Sequence, residues 1–167
     1  MKNIFIDCEW NTFANSKIFL IGYAYNLSSF GILTGNKICP TNLEKILNPV
    51  TGFIFVYGPD IGFMEKHMNI NIRKKHKCIN LLALVRHELP NLKCYKLYKV
   101  EQHFNISRKS MAYKYDIFQT LADWKTPEGR KKVIEYNQED VINLIRIFNN
   151  LRKSGLTYRK VMKYRIH

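Results

Sequence analysis

Four acidic residues lie where carboxylates could act together on a metal ion, and two of them open the chain. Asp7 and Glu9 alternate at the end of a short apolar run. Side chains two residues apart in a strand point to the same face, so both carboxylates face one way. Adjacent carboxylates repel unless a cation lies between them, and a divalent ion with oxygen ligands is the usual solution. The alternative is a solvent-facing acidic strand end.

Asp60 and Asp140 are the other two candidate ligands. Asp60 follows an apolar run of five residues at the start of a predicted helix, where stabilisation by the helix macrodipole is the alternative interpretation. Asp140 borders the apolar stripe of a long predicted helix, and Tyr136, four residues earlier, shares its face. An aspartate beside a buried stripe needs a partner. That partner is a metal ion, or else a neighbouring Lys or backbone group.

The elements that must position these acids follow a mixed α/β pattern. Strands are predicted at 3–8, 18–25, 29–33 and 53–57, and helices at 41–47, 61–68, 78–88, 95–104 and 128–153, the last with an interruption near Tyr136 left open. The order predicts a leading antiparallel meander plus a parallel strand in one sheet, flanked by helices. Residues 1–153 are predicted to form the domain, and 154–167 a basic C-terminal tail.

Charge is distributed unevenly along the chain. The formal net charge is +14, from 27 Lys and Arg against 13 Asp and Glu. Residues 1–65 hold four basic and five acidic groups, whereas residues 66–167 hold 23 basic and eight acidic groups. A basic half of this kind indicates a polyanionic partner. An AT-rich genome that favours Lys is the alternative, and a membrane surface is a competitor without an amphipathic basic helix to support it.

The order and setting of the acids resemble the DEDD 3′–5′ exonucleases of the RNase H-like superfamily. Residues 5–10 (FIDCEW), 57–63 (YGPDIGF) and 136–141 (YNQEDV) are similar to the three motifs of that family, the last in its tyrosine subclass. Residues 18–23 (IFLIGY) and the middle helices are similar to the predicted RNase H-like exonucleases of bacteria and archaea. The chain departs from the family at Trp10, where Thr is usual, and before Asp60, where Asn is usual.

The resemblance implies a two-metal 3′–5′ exonuclease acting on single-stranded DNA or RNA with Mg²⁺ or Mn²⁺. It implies Asp7 as the bridging ligand, with Glu9 and Asp140 completing the site of the ion that holds the attacking water. Asp60 would support the second ion. Tyr136 would orient the water through its hydroxyl, since its ordinary pKa of about 10 makes it a poor base.

The basic half contains the candidates for holding the phosphate backbone. They are Lys74, Lys75, Lys77, Lys96, Lys99, Arg108 and Lys109, with Trp10 as a base-stacking residue beside the acids. Phosphate contacts and base stacking are sequence-tolerant ways of holding single strands. A solvated face is the alternative for any one of these lysines.

Other functional classes are excluded or remain open. The N-terminus meets an acid at once, and no apolar run approaches the ~20 residues of a membrane helix, so neither a signal peptide nor a membrane association is predicted. Four widely spaced cysteines indicate reduced thiols and a cytoplasmic protein. A structure-specific endonuclease and a non-catalytic nucleic-acid-binding module remain alternatives. A protein partner from replication, repair or RNA processing is also compatible with the sequence, which does not decide between DNA and RNA.

Overall fold

A five-stranded mixed sheet forms the centre of the protein, which we describe from a computed structural model. The structure describes residues 1–11, 17–109, 113 and 117–167. The strands are β1 (Ile4–Asn11), β2 (Lys17–Ala24), β3 (Phe30–Thr34), β4 (Phe53–Val56) and β5 (Lys77–Asn80). The helices are α1 (Pro40–Leu47), α2 (Asp60–Met68), α3 (Ile72–Lys75), α4 (Leu81–Glu88), α5 (Leu97–His103), α6 (Ile117–Asp123), α7 (Pro127–Lys153) and α8 (Tyr158–Val161), with 3₁₀ turns at Gly35–Lys37 and Met162–Tyr164.

Strand β1 lies at the centre of the sheet, whose order is β3-β2-β1-β4-β5. It pairs antiparallel with β2 and parallel with β4. The predicted meander followed by a parallel strand is therefore confirmed. The β1–β2 register places Asp7 opposite Gly22, and it shifts between Glu9 and Trp10.

The structure corrects the helix predicted over 78–88. Lys77–Asn80 is instead a fifth strand that pairs in parallel with β4, and the helix begins only at Leu81. Cys78 and Ile79 are both fully buried, as in a strand covered on two sides. The Asn80 side chain accepts hydrogen bonds from the backbone N–H groups of the first turn of α4 and so begins the helix. An apolar run this short cannot be assigned by periodicity alone.

Helices cover both faces of the sheet. On one face, the Phe55 ring of β4 lies 4.4 Å, between centroids, from the Phe148 ring of α7. On the other face, Ile54 packs in a cluster with Ile61 and Met64 of α2. Helix α7 runs without interruption for 27 residues, so the break left open near Tyr136 is absent. Within the described part of the chain, no helix combines the length and apolar character that a bilayer crossing requires.

The last segment of the chain, 154–167, folds back onto the edge of the sheet. Leu156 and Val161 are buried in the core cluster on the α7 face. The Ile166 backbone N–H donates to the Cys78 carbonyl oxygen at 2.8 Å, and Arg165 forms a bridge to Ile79. This segment thereby covers part of β5, which is the edge strand of the sheet.

Candidate metal centre

Strand β1 and helix α7 bring three of the four predicted acids together. Asp7 and Glu9 lie on the face of β1 that packs against α7, because side chains alternate along a strand. Asp140 projects from α7 toward them and is 6% exposed. One ligand oxygen from each of the three carboxylates lies within 4.8 Å of the other two.

Asp60 reaches the same place from the neighbouring strand. It is the first residue of α2, shortly after β4 ends, and β4 runs parallel to β1. The carboxyl ends of neighbouring parallel strands lie on the same side of a sheet, so the carboxyl ends of β1 and β4 lie close together. Asp60 is 2% exposed, and its Oδ2 atom has no hydrogen-bond partner among the described residues.

One cavity of about 210 Å³ unites the predicted site residues. It is lined by Asp7, Cys8, Glu9, Trp10, Tyr57, Asp60, Tyr113, Thr120, Tyr136 and Asp140. The structure thus places the four acids, Tyr136 and Trp10 at a single concave site. The Trp10 ring is held there by Phe63 of α2, at 4.5 Å between ring centroids.

The carboxylates of this site are electrostatically frustrated in the absence of a cation. Burial raises the pKa of Asp7 well above its ordinary value, and the charges of Asp140, Asp60 and Glu9 raise it further. Burial also raises the pKa of Asp60, of Glu9 to about 7 and of Asp140 to about 8. Two half-buried and two buried carboxylates that converge, with one orphaned oxygen on Asp60, fit a divalent cation that takes oxygen ligands.

Asn137 is a site residue that the motif analysis did not single out. Its side-chain Nδ2 donates to Asp7 Oδ2 at 2.8 Å, and the residue is fully buried. Its Oδ1 has no partner within the described part of the chain. A Cβ at Gly22 would lie 1.8 Å from that oxygen, so the missing side chain of Gly22 makes room for the amide. The sequence feature that indicates Asn137 is its position on the apolar stripe of α7, where a polar side chain needs a partner.

Arg108 lies inside the site rather than on an exposed basic surface. Its side chain is 5% exposed and forms ion pairs with Asp140 and Glu101. Its guanidinium also lies 5.0 Å from the centroid of the Tyr136 ring. The structure therefore places Arg108 beside the acids, and its contact with a phosphate stays a prediction. Glu101, which is 1% exposed, carried no sequence signal, because it stands among exposed polar residues of α5.

The remaining predicted phosphate-binding residues are exposed and line no part of the acidic cavity. They are Lys74, Lys75, Lys77, Lys96, Lys99 and Lys109. Lys77 begins β5 and so lies at the amino end of the parallel strands, opposite to their carboxyl ends. Lys75 forms an exposed ion pair with Glu44, at 2.7 Å between Nζ and Oε1. None of the six lines the cavity, although Lys109 follows Arg108 and its backbone N–H donates to Glu139, the neighbour of Asp140.

The central strand, with its carboxylates facing a long helix, defines a nuclease-type α/β domain. Residues 4–152 match the family model of the RNase H superfamily, and the chain belongs to that superfamily. A comparison with curated proteins gives no match.

Among solved structures, the fold is similar to the family B DNA polymerase from the hyperthermophilic archaeon Pyrobaculum calidifontis. The TM-score is 0.71 at 11% sequence identity, and the match covers 91% of this chain. The chain spans about a quarter, 24%, of the length of that polymerase. At this identity the likeness supports the fold alone, and it confirms the predicted mixed sheet flanked by helices.

Proposed function

We propose that this protein is a metal-dependent 3′–5′ exonuclease of the tyrosine DEDD subclass, acting on single-stranded DNA or RNA. One observation carries the proposal. Two carboxylates of the central strand and one of α7 converge within 4.8 Å in an RNase H superfamily fold, and Asp60 and Tyr136 line the same cavity. Nucleases of this superfamily typically use divalent metals, and the donor set here consists of the carboxylate oxygens that Mg²⁺ and Mn²⁺ prefer.

Each acid has a proposed part in holding two Mg²⁺ or Mn²⁺ ions. Asp7 would bridge them, Glu9 and Asp140 would complete one site, and Asp60 would support the other. When bound, such ions neutralise charge on the scissile phosphate and lower the pKa of water. The hydrogen-bonded setting of Asp7 favours a constant carboxylate orientation, because Asn137 donates to one of its oxygens at 2.8 Å.

Tyr136 would act by orientation rather than as a base. Burial raises the pKa of its hydroxyl above the ordinary value of 10, and the charge of Asp140 raises it further. The hydroxyl therefore stays protonated at neutral pH and serves as a hydrogen-bond donor to the attacking water or the phosphate. Trp10, which lines the same cavity, would stack on the terminal base.

The exposed lysines supply the long-range attraction for a polyanion. The net charge of +14 favours encounter with nucleic acid, and phosphate contacts make binding depend on salt. A cytoplasmic location and a protein partner from replication, repair or RNA processing belong to this proposal as well.

The test is digestion of 5′-labelled single-stranded DNA and RNA oligonucleotides with Mg²⁺, Mn²⁺ or EDTA. We expect a metal-dependent ladder that shortens from the 3′ end and disappears in Asp7→Asn, Asp140→Asn and Glu9→Gln. Glu128→Gln is the matched control, because Glu128 is exposed in the first turn of α7, away from the cavity.

Two other outcomes would replace the proposal. Cleavage of circular or 3′-blocked substrates would indicate a structure-specific endonuclease. Salt-sensitive binding without cleavage under every metal condition would indicate a non-catalytic binding module. Full activity in Asp7→Asn or Asp140→Asn would contradict the assignment of the site.

A further inference from the structure

A buried arginine is attached to one of the candidate metal ligands. Arg108 Nη2 forms an ion pair with Asp140 Oδ1. The same side chain donates to Glu101, from Nε to Oε2 at 2.8 Å and from Nη2 to Oε1 at 2.6 Å. A carboxylate offers about four lone-pair sites, so one bond to Arg108 leaves Asp140 able to bind a metal.

Glu101 anchors the arginine from behind. It is 1% exposed and also accepts a hydrogen bond from Asn143 Nδ2 at 2.9 Å. Asn143 lies on α7, one turn after Asp140, and Arg146 donates to its Oδ1 at 2.8 Å. The backbone beside Arg108 is held as well, because the Lys109 backbone N–H donates to Glu139 Oε1 at 2.6 Å. The guanidinium is therefore fixed from two sides against α7.

Charge balance indicates why both members of the pair are present. The four site carboxylates carry four formal negative charges when ionised, which two divalent cations would balance. Arg108 and Glu101 add one charge of each sign, so the pair leaves that balance unchanged. A bidentate, buried pair is also costly to break by removing one partner. These features favour a permanent orienting group over a cation that leaves when metal arrives.

We propose that Arg108, anchored by Glu101, is a positioning residue that orients the Asp140 carboxylate for metal binding and packs over Tyr136. This inference rests on the proposed metal-dependent function. Hydrogen-bonding partners of metal ligands hold the ligand in its binding geometry, and their loss typically lowers metal affinity about 10–100-fold.

The experiment measures Mn²⁺ binding to the full chain by calorimetry, with no nucleic acid present. We expect Arg108→Met to raise the Kd for Mn²⁺ about 10–100-fold, and Arg108→Lys, which keeps the charge but loses the fork, to have a smaller effect. Arg73→Met is the control, because Arg73 pairs with the buried Glu65 through the same two nitrogens, Nε and Nη2, outside the acidic cavity. We expect its Kd for Mn²⁺ to equal that of the wild type.

A second variant protects the test against misfolding. Arg108→Met alone leaves Glu101 buried without its partner, so Glu101→Gln/Arg108→Met removes both charges together. We expect this double variant to melt cooperatively and still to bind Mn²⁺ more weakly than the wild type. Wild-type or tighter Mn²⁺ binding in the folded Arg108 variants would overturn the positioning role and leave the nuclease proposal intact. A wild type that binds no Mn²⁺ would overturn both.

Discussion

Asn137 and Asp7 are joined by a hydrogen bond of 2.8 Å although 130 residues separate them in the chain. The bond connects the middle of α7 to the central strand and holds one oxygen of a candidate metal ligand. It depends on the absence of a side chain at Gly22, which lies opposite Asp7 in the neighbouring strand. The carboxylate, the amide and the glycine thus form one unit, and the first three predictions concern it.

Replacing the amide should weaken both the fold and the metal site. We expect Asn137→Ala to lower the free energy of unfolding by about 1–3 kcal/mol, because the Asp7 carboxyl loses its hydrogen-bond donor. We also expect weaker Mn²⁺ binding, since Asp7 loses the group that orients it. Denaturant unfolding and calorimetry measure the two effects. Asn150→Ala is the control, because Asn150 lies on the same helix outside the acidic cavity and its side chain donates to a backbone carbonyl. Equal effects of the two variants would contradict the prediction.

A methyl group at position 22 should destabilise the protein. In Gly22→Ala the new Cβ would lie 1.8 Å from Asn137 Oδ1, so the amide has to move, at a cost of about 1–3 kcal/mol for overpacking. We expect Gly62→Ala to stabilise instead by about 0.5–1 kcal/mol, because Gly62 lies inside α2 and a Cβ there would meet no atom of the described residues within 4 Å. Thermal and denaturant unfolding measure the stability of Gly22→Ala and Gly62→Ala against that of the wild type.

A double-mutant cycle distinguishes this clash from a general effect on β2. In Gly22→Ala/Asn137→Ala the oxygen that the methyl group would strike is gone. We therefore expect the double variant to lose less stability than the sum of the two single variants. Strict additivity would show that the strain arises elsewhere.

The acidic cluster should make the metal-free protein less stable as pH rises. A carboxyl whose pKa is higher in the folded than in the unfolded state stabilises the fold while it is protonated, and this contribution is lost as pH rises through the folded value. Burial raises the pKa of Glu9 from 4.5 to about 7 and that of Asp140 from 3.8 to about 8. In EDTA we expect Tm to fall as pH rises from the unfolded values of 4.5 and 3.8 toward the folded values of about 7 and about 8, and to level off above them.

Added metal should reverse this trend. Carboxylates must be deprotonated to bind Mn²⁺, so its apparent affinity should increase over the same pH range. We expect Asp140→Asn to flatten the metal-free Tm profile, because the substituted amide does not titrate. A Tm in EDTA that rises steadily across that range would contradict the assigned direction of these pKa shifts.

Trp10 should affect substrate binding more than chemistry. Its ring lines the acidic cavity and packs on Phe63. If it stacks on a base, Trp10→Ala should raise KM by the equivalent of about 1–3 kcal/mol of stacking, with a smaller change in kcat. Steady-state kinetics on a single-stranded oligonucleotide measures this. Trp124→Ala is the control, since Trp124 packs on Phe19 and does not line the cavity. An unchanged KM in Trp10→Ala would remove this role.

Residue spacing alone accounts for the local geometry of the site. Alternation along β1 places Asp7 and Glu9 on one face, and helical periodicity places Tyr136 and Asp140 on one side of α7. Both features depend only on short-range backbone geometry, which residue spacing reports directly. The meander and the parallel strand followed from the order of apolar runs, and the sheet confirmed them. The metal-ligand roles and the choice of substrate stay predictions.

Packing between distant elements settles what residue type and spacing leave open. Residues 78–80 have the composition of either a buried strand or a buried helix, and only pairing with β4 made them a strand. Arg108 and Lys109 stand between two serines, a composition typical of a solvated face, yet the Arg108 side chain is buried by ion pairs with Glu101 of α5 and Asp140 of α7. Asn137 meets Asp7 only because β1 and α7 pack together. Contacts between residues far apart in the chain depend on how the elements pack, and local periodicity carries no information about that.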